Sequence, residues 1–142
     1  MKVPIGCDHA GYDLKEKVKS WLENKGYEVD DKGAYSSDSV DYPDFGHAVA
    51  KTVVEDGIKG VVICGSGNGI NMTVNKYAEI RSALCWTREI AELARQHNNA
   101  NVVAIPARFI SEEVALDIID AFFSTDFEGG RHERRVNKIA CS

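Results

Sequence analysis

The stretch GVVICGSGNGI, residues 60–70, joins a short apolar run to a glycine-rich segment. The apolar run is bounded by glycine and is too short for a helix, so it predicts a fully buried strand that ends at Cys64. The glycines that follow suit a turn into a helix, and their backbone N–H groups could hold an anion. The segment is not a dinucleotide fingerprint, because Ile70 occupies the position of the third glycine, and it lacks the Gly-Lys of a Walker loop. A tight turn that needs glycine only for its backbone geometry is the alternative.

Four further apolar runs resemble the run at 60–64. They lie at residues 3–7, 27–29, 82–86 and 101–105. Segments with apolar residues at helical spacing separate them, and a serine-rich polar stretch before residue 42 is expected to be a loop. This alternation predicts an α/β fold with a five-stranded parallel sheet, covered by helices on both faces. The length predicts a single domain over 1–142.

Composition narrows the class of protein. The 142 residues carry a net charge of −5 at a sequence pI of about 5.3, which argues against a broad nucleic-acid or membrane footprint. Asp8 and His9 interrupt the first apolar run too early for a signal peptide, and no run approaches the roughly 18 residues that span a bilayer. The four cysteines are far apart and form no CxxC motif. We therefore expect free thiols in a reducing cytoplasm.

Polar residues follow three of the predicted strands. Asp8 and His9 come after the first, Cys64 ends the third, and Arg108 follows the last. Ligands of parallel sheets bind beyond the carboxyl ends of the strands, so we expect these side chains to share one edge. Backbone N–H groups of the glycine segment are expected to lower the pKa of Cys64 and favour a thiolate, which could act as nucleophile or base. A small buried hydrophobic role for this cysteine is the alternative.

Two histidine-containing segments have both a chemical and a structural interpretation. The dyad Asp8-His9 could transfer protons, but it could equally cap the helix that follows. His97 continues an apolar helical stripe, although the polar run QHNN at 96–99 just before a strand favours a functional site. A metal site built from these residues and Cys64 is supported by no ligand spacing. We therefore predict no metal and no cofactor.

The segment from Arg131 to Ile139 predicts a basic helix after the glycine pair that opens GGRHERRVNK, residues 129–138. Arg131 and Arg135 are four residues apart on one face, where like charges destabilise a helix by a few tenths of a kcal/mol. A bound phosphate would reverse that effect through charge-assisted hydrogen bonds. A solvated basic face, with Glu128 and Glu133 as partial partners, is equally consistent with the sequence.

Taken together, five ordered blocks resemble the RpiB/LacA/LacB family of sugar-phosphate isomerases. They are GCDHAGYDLK (6–15), DYPDFG (41–46), ICGSGNGI (63–70), ARQHNNANVVA (94–104) and EGGRHERRV (128–136). The resemblance implies a Rossmann-type, three-layer α/β/α fold and an aldose–ketose isomerisation that needs no metal. It also implies a homodimer with active sites between the subunits. Whether dimers pair into tetramers stays open.

The resemblance also assigns roles to the residues that carry the chemistry. Cys64 matches the base that takes the proton beside the carbonyl, His97 the acid/base that opens the furanose ring, and Asp8 its helper. The loop that matches the family's enediolate cradle consists of Gly65, Ser66, Gly67, Asn68 and Gly69.

Further residues match contacts to the substrate. Asn98 matches a ligand contact, and Tyr42 lines the pocket. The residues that match contacts to the phosphate end of the substrate are His9, Arg108, Arg131 and Arg135.

Several alternatives remain at this stage. One branch of the family uses a glutamate just after the glycine loop, where this chain has Ile70, so the thiolate is the predicted base.

His97 together with GGRHERRV favours interconversion of ribose 5-phosphate and ribulose 5-phosphate, and allose or galactose 6-phosphate stay open as substrates. A cysteine hydrolase or phosphatase is a rival, although residues 65–69 lack the arginine that a phosphatase would need. A non-catalytic sugar-phosphate sensor is the other rival.

Overall fold

A single parallel sheet of five strands organises the chain, which a computed structural model describes over residues 1–141. The strand order is β2-β1-β3-β5-β4, and every neighbouring pair is parallel. The strands are β1 (Lys2–Cys7), β2 (Glu28–Asp31), β3 (Gly60–Cys64), β4 (Ser82–Leu84) and β5 (Val102–Pro106). The predicted α/β class and the five-stranded parallel sheet are confirmed.

Helices cover both faces of the sheet, which gives the predicted three layers. They are α1 (Tyr12–Asn24), α2 (Tyr42–Asp56), α3 (Asn68–Val74), α4 (Arg88–Asn98), α5 (Glu112–Ser124) and α6 (Arg131–Val136), with a short 3-10 turn at His9–Gly11. One buried cluster lies between the sheet and α1, α4 and α5, and a second lies between the sheet and α2 and α3. Along β3, Val61 and Ile63 belong to the first cluster, whereas Val62 and Cys64 belong to the second. This alternation places Cys64 on the face covered by α2 and α3.

Local signals explain boundaries of α2, α4 and α5. Thr87 and Ser111 accept hydrogen bonds from the backbone at Ile90 and Val114, which caps the first turns of α4 and α5. Pro43 lies in the first turn of α2, and Gly57 ends that helix with a φ of 63°.

Strands β1 and β5 lie within one residue of their expected bounds, and three other elements end elsewhere than expected. Strand β2 extends to Asp31 because its backbone pairs with β1 through Ile5, although its side chains are mostly charged. Strand β4 stops at Leu84, since Thr87 already caps the next helix. The basic helix α6 ends at Val136 rather than near 139. In each case pairing or capping decides the boundary, which hydropathy alone does not report.

A buried lysine fastens α1 to the edge of the sheet. The ammonium of Lys15, whose side chain is 1% exposed, donates to both carboxylate oxygens of Asp31 at 2.8 Å. Lys19 adds a third contact to the same carboxylate at 2.9 Å. Burial acts to raise the pKa of Asp31, but the hydrogen bonds from Lys15 and Lys19 outweigh it, so that pKa lies below its usual value.

No helix within residues 1–141 is both long enough and apolar enough to cross a membrane.

Candidate active site

The segment that leads from β3 into the first turn of α3 is packed too tightly for side chains at two of its glycines. Gly67 has a φ of 78°, and a Cβ there would lie 2.4 Å from a methyl group of Leu84. A Cβ on Gly69 would lie 2.5 Å from the ring of Tyr42, which covers the loop from the start of α2. Gly67 is therefore required by its backbone conformation and by close packing, and Gly69 by close packing alone. Because these positions carry no side chains, the backbone of the loop faces Cys64.

Cys64 is the last residue of β3, and it is 5% exposed. Burial raises the pKa of the Cys64 thiol, whereas the backbone N–H groups of Ile70, Gly67 and Gly69, which lie near its sulfur, act to lower it. Burial outweighs them, and the nearby charge of Asp8 acts in the same direction as burial. The pKa of Cys64 therefore lies above its usual value, which corrects the expectation of a lowered pKa. The N–H groups are present as expected, but desolvation of the charged form is the larger effect.

Asp8 and His9 lie at the same edge of the sheet. Asp8 is 8% exposed, and its carboxylate accepts a hydrogen bond from the backbone N–H of Gly11 at 3.1 Å, so the capping interpretation of this residue is correct. Its charge also acts on Cys64, so a second role is compatible with the cap. His9 accepts a hydrogen bond at Nδ1 from the backbone N–H of Val40 at 3.2 Å. This bond leaves Nε2 of His9 available for a ligand.

Arg108 brings a cation to this edge from the segment after β5. Its backbone N–H donates to the carbonyl of Gly65 at 3.0 Å. Its guanidinium Nη1 lies 3.3 Å from the position that a Cβ on Gly65 would occupy. The predicted group at the carboxyl edge, with Asp8, His9, Cys64 and Arg108, is thus brought together.

A second group forms around the end of α4 and helix α6. The imidazole of His97 stacks on that of His132, with ring centroids 4.2 Å apart and planes 12° from parallel. Glu128 lies beside both rings, and its Oε1 is 3.9 Å from Nε2 of His97 and 3.6 Å from Nε2 of His132. Burial, with the charge of His97 next in size, lowers the pKa of His132. Three exposed members of the predicted site accompany this group: Asn98, Arg131 and Arg135.

The two groups lie at opposite ends of the sheet within one chain. Helix α4 ends at Asn98, four residues before β5 begins at Val102, and Val102 pairs with Gly60 at the start of β3. Cys64 pairs with Pro106 at the far end of the same two strands. Four residues of strand separate these ends by about 13 Å. The site predicted from the sequence is therefore divided in two.

Comparison with known proteins identifies the family. A family model described as Ribose/Galactose Isomerase matches residues 3–139. The chain belongs to this family. Ribose-5-phosphate isomerase B of Escherichia coli is 42% identical over 139 residues, which cover 97% of this chain and 93% of the relative. The protein of the same name from Mycobacterium leprae is 43% identical over 143 residues, covering 99% and 88%.

Solved structures of family members share the fold over nearly the whole chain. Ribose-5-phosphate isomerase B of Clostridium thermocellum has a TM-score of 0.96 at 46% identity, with 98% of this chain and 95% of that chain covered. The enzyme from Mycoplasma genitalium, solved with bound ribulose-5-phosphate, has a TM-score of 0.93 at 40% identity, with 97% and 93% covered. The predicted resemblance and the Rossmann-type fold are thus confirmed.

Two side chains beside His97 were assigned no catalytic or ligand-binding role from the sequence. His132 and Glu128 lie in the quoted block EGGRHERRV, but only their neighbours Arg131 and Arg135 were singled out. The four-residue spacing of Glu128 and His132 was the available signal. Their proximity to His97 depends on how the segment after α5 folds back onto α4, where the N–H of Glu128 donates to the carbonyl of Gln96 at 3.1 Å. The sequence carries no local pattern for that contact.

Proposed function

We propose that this protein interconverts ribose 5-phosphate and ribulose 5-phosphate through an enediolate, with Cys64 as the base. The observation that carries the proposal is a buried thiol at a strand end, faced by the N–H groups of a glycine loop, in a chain of the ribose/galactose isomerase family. Aldose–ketose isomerisation requires a base beside the carbonyl, donors for the developing oxyanion and an anchor for the remote phosphate. Each of these requirements has a candidate in the chain.

The proton transfer can be written with the residues at the carboxyl edge. The Cys64 thiolate takes the proton from the carbon next to the carbonyl, and the negative charge moves to the carbonyl oxygen. N–H groups of residues 65–69 hold this enediolate, because oriented backbone dipoles stabilise charge without reorganising. A proton then passes from the hydroxyl oxygen of the enediolate to the former carbonyl oxygen, and Cys64 returns its proton to the neighbouring carbon, which completes the exchange of aldose and ketose. Ser66 and Asn68 flank the glycines of this cradle.

Ring opening and phosphate binding use the remaining residues. We assign His97 as the acid/base that moves a proton between the anomeric hydroxyl and the ring oxygen, with Asp8 as its helper. Asn98 and Tyr42 contact the sugar. Remote binding of the phosphate holds the sugar in place and contributes to stabilising the transition state. The phosphate contacts are assigned to His9, Arg108, Arg131 and Arg135.

These assignments require a second copy of the chain. Cys64 and His97 lie at opposite ends of one sheet, so one protomer cannot present both to a single sugar phosphate. We propose a homodimer in which the amino-end group of one protomer meets the carboxyl-edge group of its partner. Two equivalent sites then form, as expected for a two-fold assembly. The same arrangement is compatible with dimers that pair into tetramers.

We also propose the cytoplasm as the site of action. Cys7, Cys64, Cys85 and Cys141 are all free thiols in the structure. A catalytic thiol of this kind stays reduced where glutathione and thioredoxin maintain the redox poise.

The deciding experiment is a proton NMR time course of ribose 5-phosphate with the full chain in deuterium oxide, with a chelator present. We expect ribulose 5-phosphate to form, with deuterium entering beside the carbonyl. Allose 6-phosphate and galactose 6-phosphate in parallel samples define the substrate range. No product and no exchange with any of the three sugars, from folded dimeric protein, would overturn the isomerase proposal.

A further inference from the structure

The cluster of His97, Glu128 and His132 offers more than a place for an acid/base. Each residue presents one potential ligand atom, and the three atoms lie within 4.8 Å of one another. Two are imidazole nitrogens and one is a carboxylate oxygen, a donor set that binds Zn²⁺ in proteins. The proposed isomerisation assigns a role to His97 alone, so Glu128 and His132 are unexplained by it.

We propose that His97, Glu128 and His132 form a site for a divalent transition-metal ion of the Zn²⁺ type, and that its occupancy inhibits the isomerase by capturing His97. The binding part of this proposal stands on the three side chains. The inhibition part rests on the ring-opening role proposed for His97.

The spacing of the ligand atoms is close to what a tetrahedral ion needs. With metal–ligand bonds of roughly 2.0–2.1 Å, neighbouring ligand atoms in a tetrahedron are about 3.3 Å apart. The distances from Glu128 Oε1 to the two Nε2 atoms are 3.6 Å and 3.9 Å. Small side-chain rotations, including a tilt of the stacked rings toward a common point, would close the difference. Water completes the fourth position.

The backbone around the cluster limits how far the ligands can move apart. Glu128 is tied to the end of α4 through the hydrogen bond from its N–H to the carbonyl of Gln96. His132 lies in α6, whose backbone begins after two glycines with φ values of 69° and 54°. The ring of His132 packs directly on His97. The three ligands are therefore brought together by tertiary structure before an ion binds.

The donor set selects the class of ion. Imidazole suits Zn²⁺, Ni²⁺ and Cu²⁺, whereas Mg²⁺ and Ca²⁺ prefer all-oxygen sites. The cationic side chains of Arg131 and Arg135 lie on either side of His132 in the same helix and oppose the binding of a cation. We therefore expect reversible binding that chelators remove, rather than a permanently held ion.

Calorimetric titration of Zn²⁺ into the dimeric protein tests the binding. The Cys64→Ala/Cys141→Ser background removes the proposed catalytic thiol and the exposed thiol, both of which would compete for the metal. We expect one Zn²⁺ per chain and no heat from Mg²⁺. Glu128→Gln and His132→Asn should each weaken binding by at least about tenfold, as expected for loss of one ligand. His47→Asn, which removes a histidine that bonds Tyr77 elsewhere, should leave the affinity unchanged.

The inhibition is measured on chains that retain Cys64, as the ratio of activity with and without Zn²⁺. We expect Zn²⁺ to inhibit, a chelator to restore activity, and Glu128→Gln or His132→Asn to need at least about tenfold more metal for the same inhibition. Zn²⁺ binding that is indifferent to both substitutions, or no binding at all, would overturn the site. Binding at the site without any loss of activity would overturn the inhibition, and with it the role of His97. The calorimetric result does not depend on whether the protein is an isomerase.

Discussion

The two ends of the parallel sheet carry two different kinds of site. At the carboxyl end the important groups are backbone N–H groups and buried side chains, held by a strand end and a loop without room for a methyl group at Gly67 or Gly69. At the amino end they are side chains on the surface, around His97 and His132, positioned by a helix end and a short helix. The first is fixed by the fold of the chain. The second depends on the molecule that packs against this surface. We therefore infer that the two groups of site residues meet across a dimer interface.

The largest expected effect is at the carboxyl end. Replacing Cys64 with Ala should lower kcat/KM by about a thousandfold, because a positioned general base contributes on this order. Binding of a sugar phosphate should persist, which equilibrium titration can check. Cys85→Ala is the matched control, since Cys85 is also a buried cysteine and has no assigned role. Equal activity in wild type and Cys64→Ala would favour the sensor interpretation.

The second prediction joins the two ends. His97→Asn should lower the rate by about a hundredfold, because ring opening loses its acid/base. Mixing this variant with Cys64→Ala, then allowing subunits to exchange, should restore about a quarter of the sites, since half of the dimers then carry one intact pair. Steady-state activity after mixing checks the restoration. Absence of recovery from freely exchanging dimers would contradict sites shared between subunits.

The raised pKa of Cys64 predicts the pH dependence of the reaction. The reactive form is the thiolate, whose fraction rises with pH until the pKa is passed. Burial holds that pKa above 9.0, the value of an unperturbed cysteine thiol. Between neutral pH and about pH 9, kcat/KM should therefore rise by about tenfold per pH unit. If kcat/KM stayed constant across this range, ionisation of Cys64 would not be the step that sets the pH dependence of the free enzyme.

The smallest of these effects is expected at the amino end. Arg135→Ala should raise KM by about tenfold with less change in kcat, because a charge-assisted hydrogen bond to phosphate is lost. Arg134→Ala is the matched control, since it removes the adjacent charge of the same helix. Initial-rate kinetics on both variants give the comparison. Identical KM values for the two variants would assign the effect to net charge rather than to a phosphate contact.

The sequence predicted the parts of the molecule that depend on local patterns. The strand 60–64 and the glycine segment after it were recognisable because apolar runs and glycine positions are local properties. The direction of the pKa shift of Cys64 could not be predicted from the sequence. Two opposed effects act on the thiol, and their balance depends on how deeply α2 and α3 cover it. The contact of His97 with His132 was also missed, because it joins residues 35 apart through a turn with no sequence signature.

The buried pair of Lys15 and Asp31 has a consequence for acid tolerance. Because the pKa of Asp31 lies below its usual value, the pair stabilises the fold above the unfolded-state pKa, and this contribution is lost as pH falls through the folded-state pKa. Protonation of Asp31 then leaves the Lys15 charge buried without its main partner. Lys15 lies in the first helix after the Asp8-His9 turn, and Asp31 also accepts from the N–H of Gly33. Acid should therefore first loosen β2, at the edge of the sheet, and α1, which follows the Asp8-His9 turn. The central strands β3 and β5 should stay paired.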